Sequence, residues 1–172
     1  MSFDSDDFAL FGLPRRFALD AADLAALRRT LLAEVHPDRF ATAGASAQRV
    51  AMQWAVRVNE AWERLKDPLK RAAYLCELHG APIGAENNTA MPPEFLIQQM
   101  AWREALDDAS TREAVESIAR SLDAHRDEAY VELAHSLDDD GTYNGAAQQV
   151  RALMFVERFA NDVEDRLERM EA

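Results

Sequence analysis

The sequence predicts an all-α protein. Three observations carry that prediction. Apolar residues recur at steps of three and four along almost the whole chain, the pattern of helices with one buried face. Glycine and proline are scarce, six of each in 172 residues. Two of those glycines and three of the prolines fall in one stretch, "HGAPIGAENNTAMPP" at 79–93, whose breakers and asparagines make it a linker. The expected organisation is therefore a domain at 1–79, a linker at 80–93 and a second domain at 94–172.

A short helix is expected near "DDFALFGL", packed across two long ones. Asp20 is placed to cap the first long helix by accepting a hydrogen bond from a free amide of its first turn, that of Asp23. Leu24, Leu27, Leu31 and Val35 mark its apolar face. Pro37 ends it, because a proline pushes the residue before it out of the helical region. After a loop to about Ser46, the second long helix carries Val50, Trp54, Val58, Ala61 and Leu65 on its seam. Trp62 lies just beside that seam. Asp67–Pro68 is an N-cap followed by proline at the first helical position. The helix it opens, "LKRAAYLCELHG", stops at Gly80. The first domain is thus a helical hairpin with "VHPDRF" (residues 35–40) at its tip.

The second domain should hold three helices. The first runs from about Glu94 to Asp108. Ser110 and Glu113 have capping-box spacing for the next, whose seam is Val115, Ile118, Leu122, Ala129, Leu133 and Leu137. "DDDGTYNG" is the turn into the last. Val150, Leu153, Val156, Ala160, Val163, Leu167 and Met170 line that helix, a run long enough for coiled-coil-like packing.

Composition excludes several function classes. Apolar residues make up 48% and charged residues 29%, as in soluble globular proteins. No apolar run is long enough for a bilayer, and the acidic start "MSFDSDDFALF" resembles neither a secretory signal nor a transit peptide. Cys76 is the only cysteine, so neither an internal disulfide nor a thiolate cluster site is expected. It reads as a small buried hydrophobe in a cytoplasmic protein. Residues 1–79 carry 11 Lys+Arg and 11 Asp+Glu, whereas residues 80–172 carry 8 and 20, so the net −12 lies wholly in the second part. That surface repels a phosphate backbone, so nucleic acid is not an expected partner.

His36, Pro37 and Asp38 admit several readings. A carboxylate–imidazole dyad would also need a nucleophile and an oxyanion hole, and no such context appears. A metal site would need further ligands, and His79, His125 and His135 lack the spacing. Pro37 as a bare helix stop is a third reading. The fourth is a docking surface, since a proline-stiffened tip loses little entropy on binding.

On the second domain's first helix, Phe95, Gln99, Trp102 and Leu106 form one stripe expected to be buried. Leu96, Ile97 and Met100 lie beside or beyond it, and Glu104 and Asp108 continue at i+4. A helix in a small bundle needs only one apolar face. Phe155 repeats the excess, about 200° around its helix from Leu153. Spent on packing, these side chains would be buried; left exposed and rimmed by acid, they mark a binding surface.

"HPDRF" between two antiparallel helices resembles the J-domain, the module that activates DnaK-type seventy-kilodalton heat-shock chaperones. "LFGLP", "VNEAWERLKDPLKRAAYLCELHG" and "FLIQQMAWREAL" extend the resemblance over almost the whole chain, to the HscB family of J-type co-chaperones in iron–sulfur cluster assembly. The resemblance implies an L-shaped, bacterial-type protein with no enzymatic activity and no cofactor or metal of its own. It implies that His36, Pro37 and Asp38, with Arg29 and Arg39, contact a DnaK/HscA-type chaperone and stimulate its ATPase. Leu96, Ile97, Met100, Glu104, Asp108 and Phe155 would bind an IscU-type scaffold. Ala101 stands where the family often has glutamate. Arg28 stands where a J-domain usually carries an aromatic, and the helix before the triplet is poorer in basic residues than most, which implies weak electrostatic steering.

Overall fold

The computed structural model describes residues 2–40, 42–84 and 91–171, and among them every regular element is helical. The elements are α1 (Asp7–Phe11), α2 (Ala21–Glu34), α3 (Ala45–Lys66), α4 (Pro68–Leu78), α5 (Pro93–Asp108), α6 (Arg112–Ala134) and α7 (Tyr143–Glu171). A 3₁₀ turn, Pro37–Phe40, joins α2 to α3. A π turn, His135–Asp139, extends α6. The chain forms two compact units, Met1–Leu75 and Cys76–Ala172, dividing inside α4 rather than at Gly80. Asn87 and Asn88 of the expected linker lie outside the described residues.

In the first unit, Asp20 Oδ1 accepts from the amides of Ala22 and Asp23 at 2.8 and 2.9 Å, which starts α2. Leu24 and Val35 are buried, and the buried residues of α3 are Ala51, Val58, Ala61 and Leu65. The expected seam needs one correction. Val50 is 44% exposed and Ala51 takes its place. The sequence Ala51, Trp54, Val58, Ala61, Leu65 alternates steps of three and four, and that regularity outweighs the larger side chain of valine. Trp54 is half-buried, its ring stacked on Phe3 at 3.8 Å.

Helix α1 is only five residues long, too short to persist on its own. Asp7 holds it in place. Its carboxylate is fully buried, 2.7 Å from Arg57 Nη1 and 2.7 Å from Arg64 Nη1 of α3. Its amide donates to Tyr74 Oη of α4 at 3.0 Å. Composition and periodicity gave no sign of this ion triad. Its only trace is Arg57 and Arg64 seven residues apart, two turns along one face of α3.

Asp67 Oδ1 caps α4 by accepting from Leu69 and Lys70 at 2.9 and 3.0 Å. At the far end Gly80 adopts φ +76°, and the amides of Gly80 and Ala81 return to the carbonyls of Glu77 and Cys76.

In the second unit, α5, α6 and α7 enclose a core that includes Phe95, Trp102, Val115, Ile118, Leu122, Val156, Phe159 and Val163. Trp102 satisfies its buried indole by donating to Ser121 Oγ at 3.2 Å. Helix α6 is capped by Thr111, whose side chain accepts from Ala114 N at 3.3 Å; Ser110, the expected cap, lies one residue too early. The residues after Gly80 are tied to α7. Ala81 and Ile83 are buried, and the buried Arg151 of α7 donates to the Ile83 carbonyl at 2.9 Å. The His79 ring stacks on Tyr143 at 3.8 Å.

Candidate functional site

The α2–α3 hairpin carries the first site at its tip. Helix α2 ends at Glu34, and Pro37 opens the 3₁₀ turn in which Arg39 N donates to the His36 carbonyl at 3.0 Å. The His36 side chain is 58% exposed and that of Asp38 91%. His36 Nδ1 accepts from the Asp38 backbone amide at 3.3 Å. The Asp38 carboxylate stays 3.6 Å from the same nitrogen, too far for a hydrogen bond. The carboxylate therefore does not orient the imidazole as a catalytic dyad requires. Instead, backbone contacts fix the turn and leave both side chains facing outward, open to a partner.

The two arginines assigned beside the triplet differ in their contacts. Arg29 lies exposed on α2. Arg39 is exposed as well, but its Nη1 donates to the carbonyls of Ala33 and Glu34 at 3.2 and 3.4 Å. It thus caps the C-terminal end of α2, where a cation is favoured by the helix dipole. Arg28, in contrast, is fastened inside the hairpin. It donates twice to Asn59 Oδ1, at 3.1 and 2.8 Å, and lies 4.1 Å over the Trp62 ring. Lys66 covers the same ring at 4.1 Å. That arrangement gives Trp62 a role beyond core packing.

The second site is on α5. Phe95 and Trp102 are buried, and Gln99 and Leu106 are half-buried, so the expected stripe faces the core. Leu96, Ile97 and Met100 are 46%, 73% and 72% exposed, and Glu104 and Asp108 are exposed further along. Burying an aliphatic side chain completely is worth roughly 1.5–3 kcal/mol before entropy losses, so three adjacent ones can dominate a contact. Phe155 is placed differently from the other assigned residues. It is half-buried, edge-on to Phe95 at 5.8 Å and stacked on Phe159 at 5.7 Å. Arg103, which sequence reasoning passed over, lies 5.3 Å over its ring. Phe155 thus supports α5 from beneath as much as it offers a surface.

Among the described residues, no group of three His, Cys, Asp or Glu side chains is arranged to hold a metal ion, and no helix is long and apolar enough to cross a membrane. Cys76 is buried, and burial pushes its thiol up to about 11 against the opposing charge of Arg151.

Residues 91–164 match the family model described as the HSCB C-terminal oligomerisation domain. A co-chaperone protein HscB homolog from Burkholderia thailandensis is 51% identical, with 99% of each chain aligned. The homolog from Burkholderia multivorans is also 51% identical over the same share. Among solved structures, chaperone HscB from Vibrio cholerae superposes with a TM-score of 0.79 at 34% identity, covering 96% of this chain and 99% of that one. The human co-chaperone protein HscB superposes with a TM-score of 0.86 at 25% identity, covering 96% and 84%.

Proposed function

The chain belongs to the HscB family of co-chaperones, and from that premise we propose that it joins a client to a seventy-kilodalton chaperone through two separate surfaces. The hairpin tip, with His36, Pro37, Asp38, Arg29 and Arg39, engages a DnaK/HscA-type chaperone and stimulates its ATPase. The outer face of α5, with Leu96, Ile97, Met100, Glu104 and Asp108, binds an IscU-type iron–sulfur scaffold, and Phe155 supports and edges that face. Hydrolysis takes place in the chaperone, and this chain contributes binding alone. Holding client and chaperone on one molecule raises the effective concentration of each for the other. The outcome is transfer of the assembled cluster and maturation of iron–sulfur proteins, in the cytoplasm.

One observation carries the reading: α5 already buries Phe95 and Trp102, yet presents Leu96, Ile97 and Met100 on its other side. Folding alone gives no reason for that second apolar face. The two-step test is affinity capture of an IscU-type scaffold by the wild-type chain and by Leu96→Ala/Met100→Ala. The double variant is expected to weaken capture at least about tenfold, the loss of about 1.4 kcal/mol or more that two truncated contacts entail. Equal capture by both would move the client surface elsewhere.

A further inference from the structure

The second unit has an open groove of ≈ 310 Å³ between α5, α6 and α7. Helix geometry centres its α5 wall, Glu94, Phe95 and Gln98, roughly opposite the exposed Leu96, Ile97 and Met100, with Glu94 about 60° from Ile97 at the border. Its floor is apolar, with buried Phe95 and Leu153. The His125 ring, 5.7 Å from Phe95, gives an aromatic wall. Exposed carboxylates of Glu94 and Glu132 stand at the groove, and among the described residues no lysine or arginine lines it. Gln149 also lines it, and its buried side-chain oxygen has no hydrogen-bond partner among the described residues.

We infer that this groove receives a lysine or arginine side chain presented by a partner protein. Such a side chain combines an apolar stem, which suits Phe95 and Leu153, with a head that only donates. The head meets two carboxylates and lies within reach of an amide oxygen that lacks a donor. A wholly apolar side chain would gain nothing from the two carboxylates and offer the buried amide oxygen no donor, and an acidic one would be repelled. The charge of residues 80–172, 20 Asp+Glu against 8 Lys+Arg, favours the same choice. The groove and the α5 outer face are centred on opposite sides of one helix and meet only where Glu94 neighbours Ile97.

The test is a titration of the ¹⁵N-labelled full chain with a blocked pentapeptide carrying arginine between alanines. The same peptide with norleucine in place of arginine and free spermidine serve as comparisons. The arginine peptide is expected to shift the amides of Phe95, Ala129 and Leu153 saturably, and to bind at least about fivefold more tightly than either comparison. Glu94→Gln/Glu132→Gln should weaken the arginine peptide about tenfold, as expected for two partly exposed charge contacts, and leave the norleucine peptide unchanged. Leu96→Ala/Met100→Ala should leave it unchanged too, which separates this site from the client surface. Equal binding of the arginine and norleucine peptides, shifts confined to other carboxylates, or no shift would overturn the assignment. Spermidine binding as tightly as the arginine peptide would overturn a protein side chain as the occupant.

Discussion

Asp38 has a carboxylate that makes no side-chain hydrogen bond among the described residues: it is 91% exposed and 3.6 Å from the nearest imidazole nitrogen. Asp38→Asn keeps the shape of the side chain and removes its charge. It is expected to leave the urea midpoint unchanged, since exposed substitutions stay within about 0.5 kcal/mol. Stimulation of chaperone ATP hydrolysis is expected to fall at least about tenfold, measured in single turnover. Arg39→Ala should behave differently, because that guanidinium closes the carbonyl end of α2. It should lower both stability and stimulation. Cys76 illustrates the opposite extreme, a side chain the fold uses and a partner cannot reach. Its folded pKa of about 11 lies above the ordinary thiol value of 9.0. Its contribution to stability is therefore full below pH 9 and is lost as pH rises from about 9 to about 11. Iodoacetamide at pH 8 should leave the native thiol unmodified and label it once urea unfolds the chain. The roles of Asp20, Asp67 and Cys76 were legible in the sequence because each depends on a few neighbouring residues or on the absence of others. The ion triad at Asp7 was not, since it joins residues 50 and 57 positions apart.

Among the helices, the sequence revealed type and order far better than phase. Pro37 and Gly80 stop α2 and α4 where their backbone chemistry requires. The seam of α3 was displaced by one residue at its start, because Val50 is the more apolar neighbour of the buried Ala51. The cap of α6 was displaced likewise. Ser110 and Thr111 are both good caps, and only the extended backbone at Thr111 decides between them. Thr111→Ala should therefore cost about 1 kcal/mol of stability, and Ser110→Ala about 0.5 kcal/mol or less, in equilibrium urea unfolding. Arg57→Ala should cost about 2 kcal/mol. That is less than the 3–5 kcal/mol of a wholly buried broken pair, because Arg64 still faces the Asp7 carboxylate. The double-faced character of α5 was readable directly, since a surplus of apolar positions is a property of the sequence itself. The half-burial of Phe155 was not, because it depends on Phe95 arriving from another helix.

Across the whole molecule, charge and chemistry are divided between the two halves. The half bearing the hairpin tip is neutral and the half bearing the α5 face carries −12. The two surfaces also differ in kind. One is a polar turn of fixed backbone geometry, and the other an apolar face rimmed by acid. Two surfaces on separate compact units should fail separately, and this independence is the central claim. It is tested most directly by one crossed experiment, in which Asp38→Asn and Leu96→Ala/Met100→Ala are each assayed for scaffold binding and for chaperone ATPase stimulation without scaffold. The account predicts that Asp38→Asn lowers stimulation at least about tenfold and binds scaffold as the wild type does, and that the α5 variant weakens scaffold binding at least about tenfold and stimulates as the wild type does. If either variant, while remaining folded, impairs both activities equally, the two surfaces are not independent and the account is wrong.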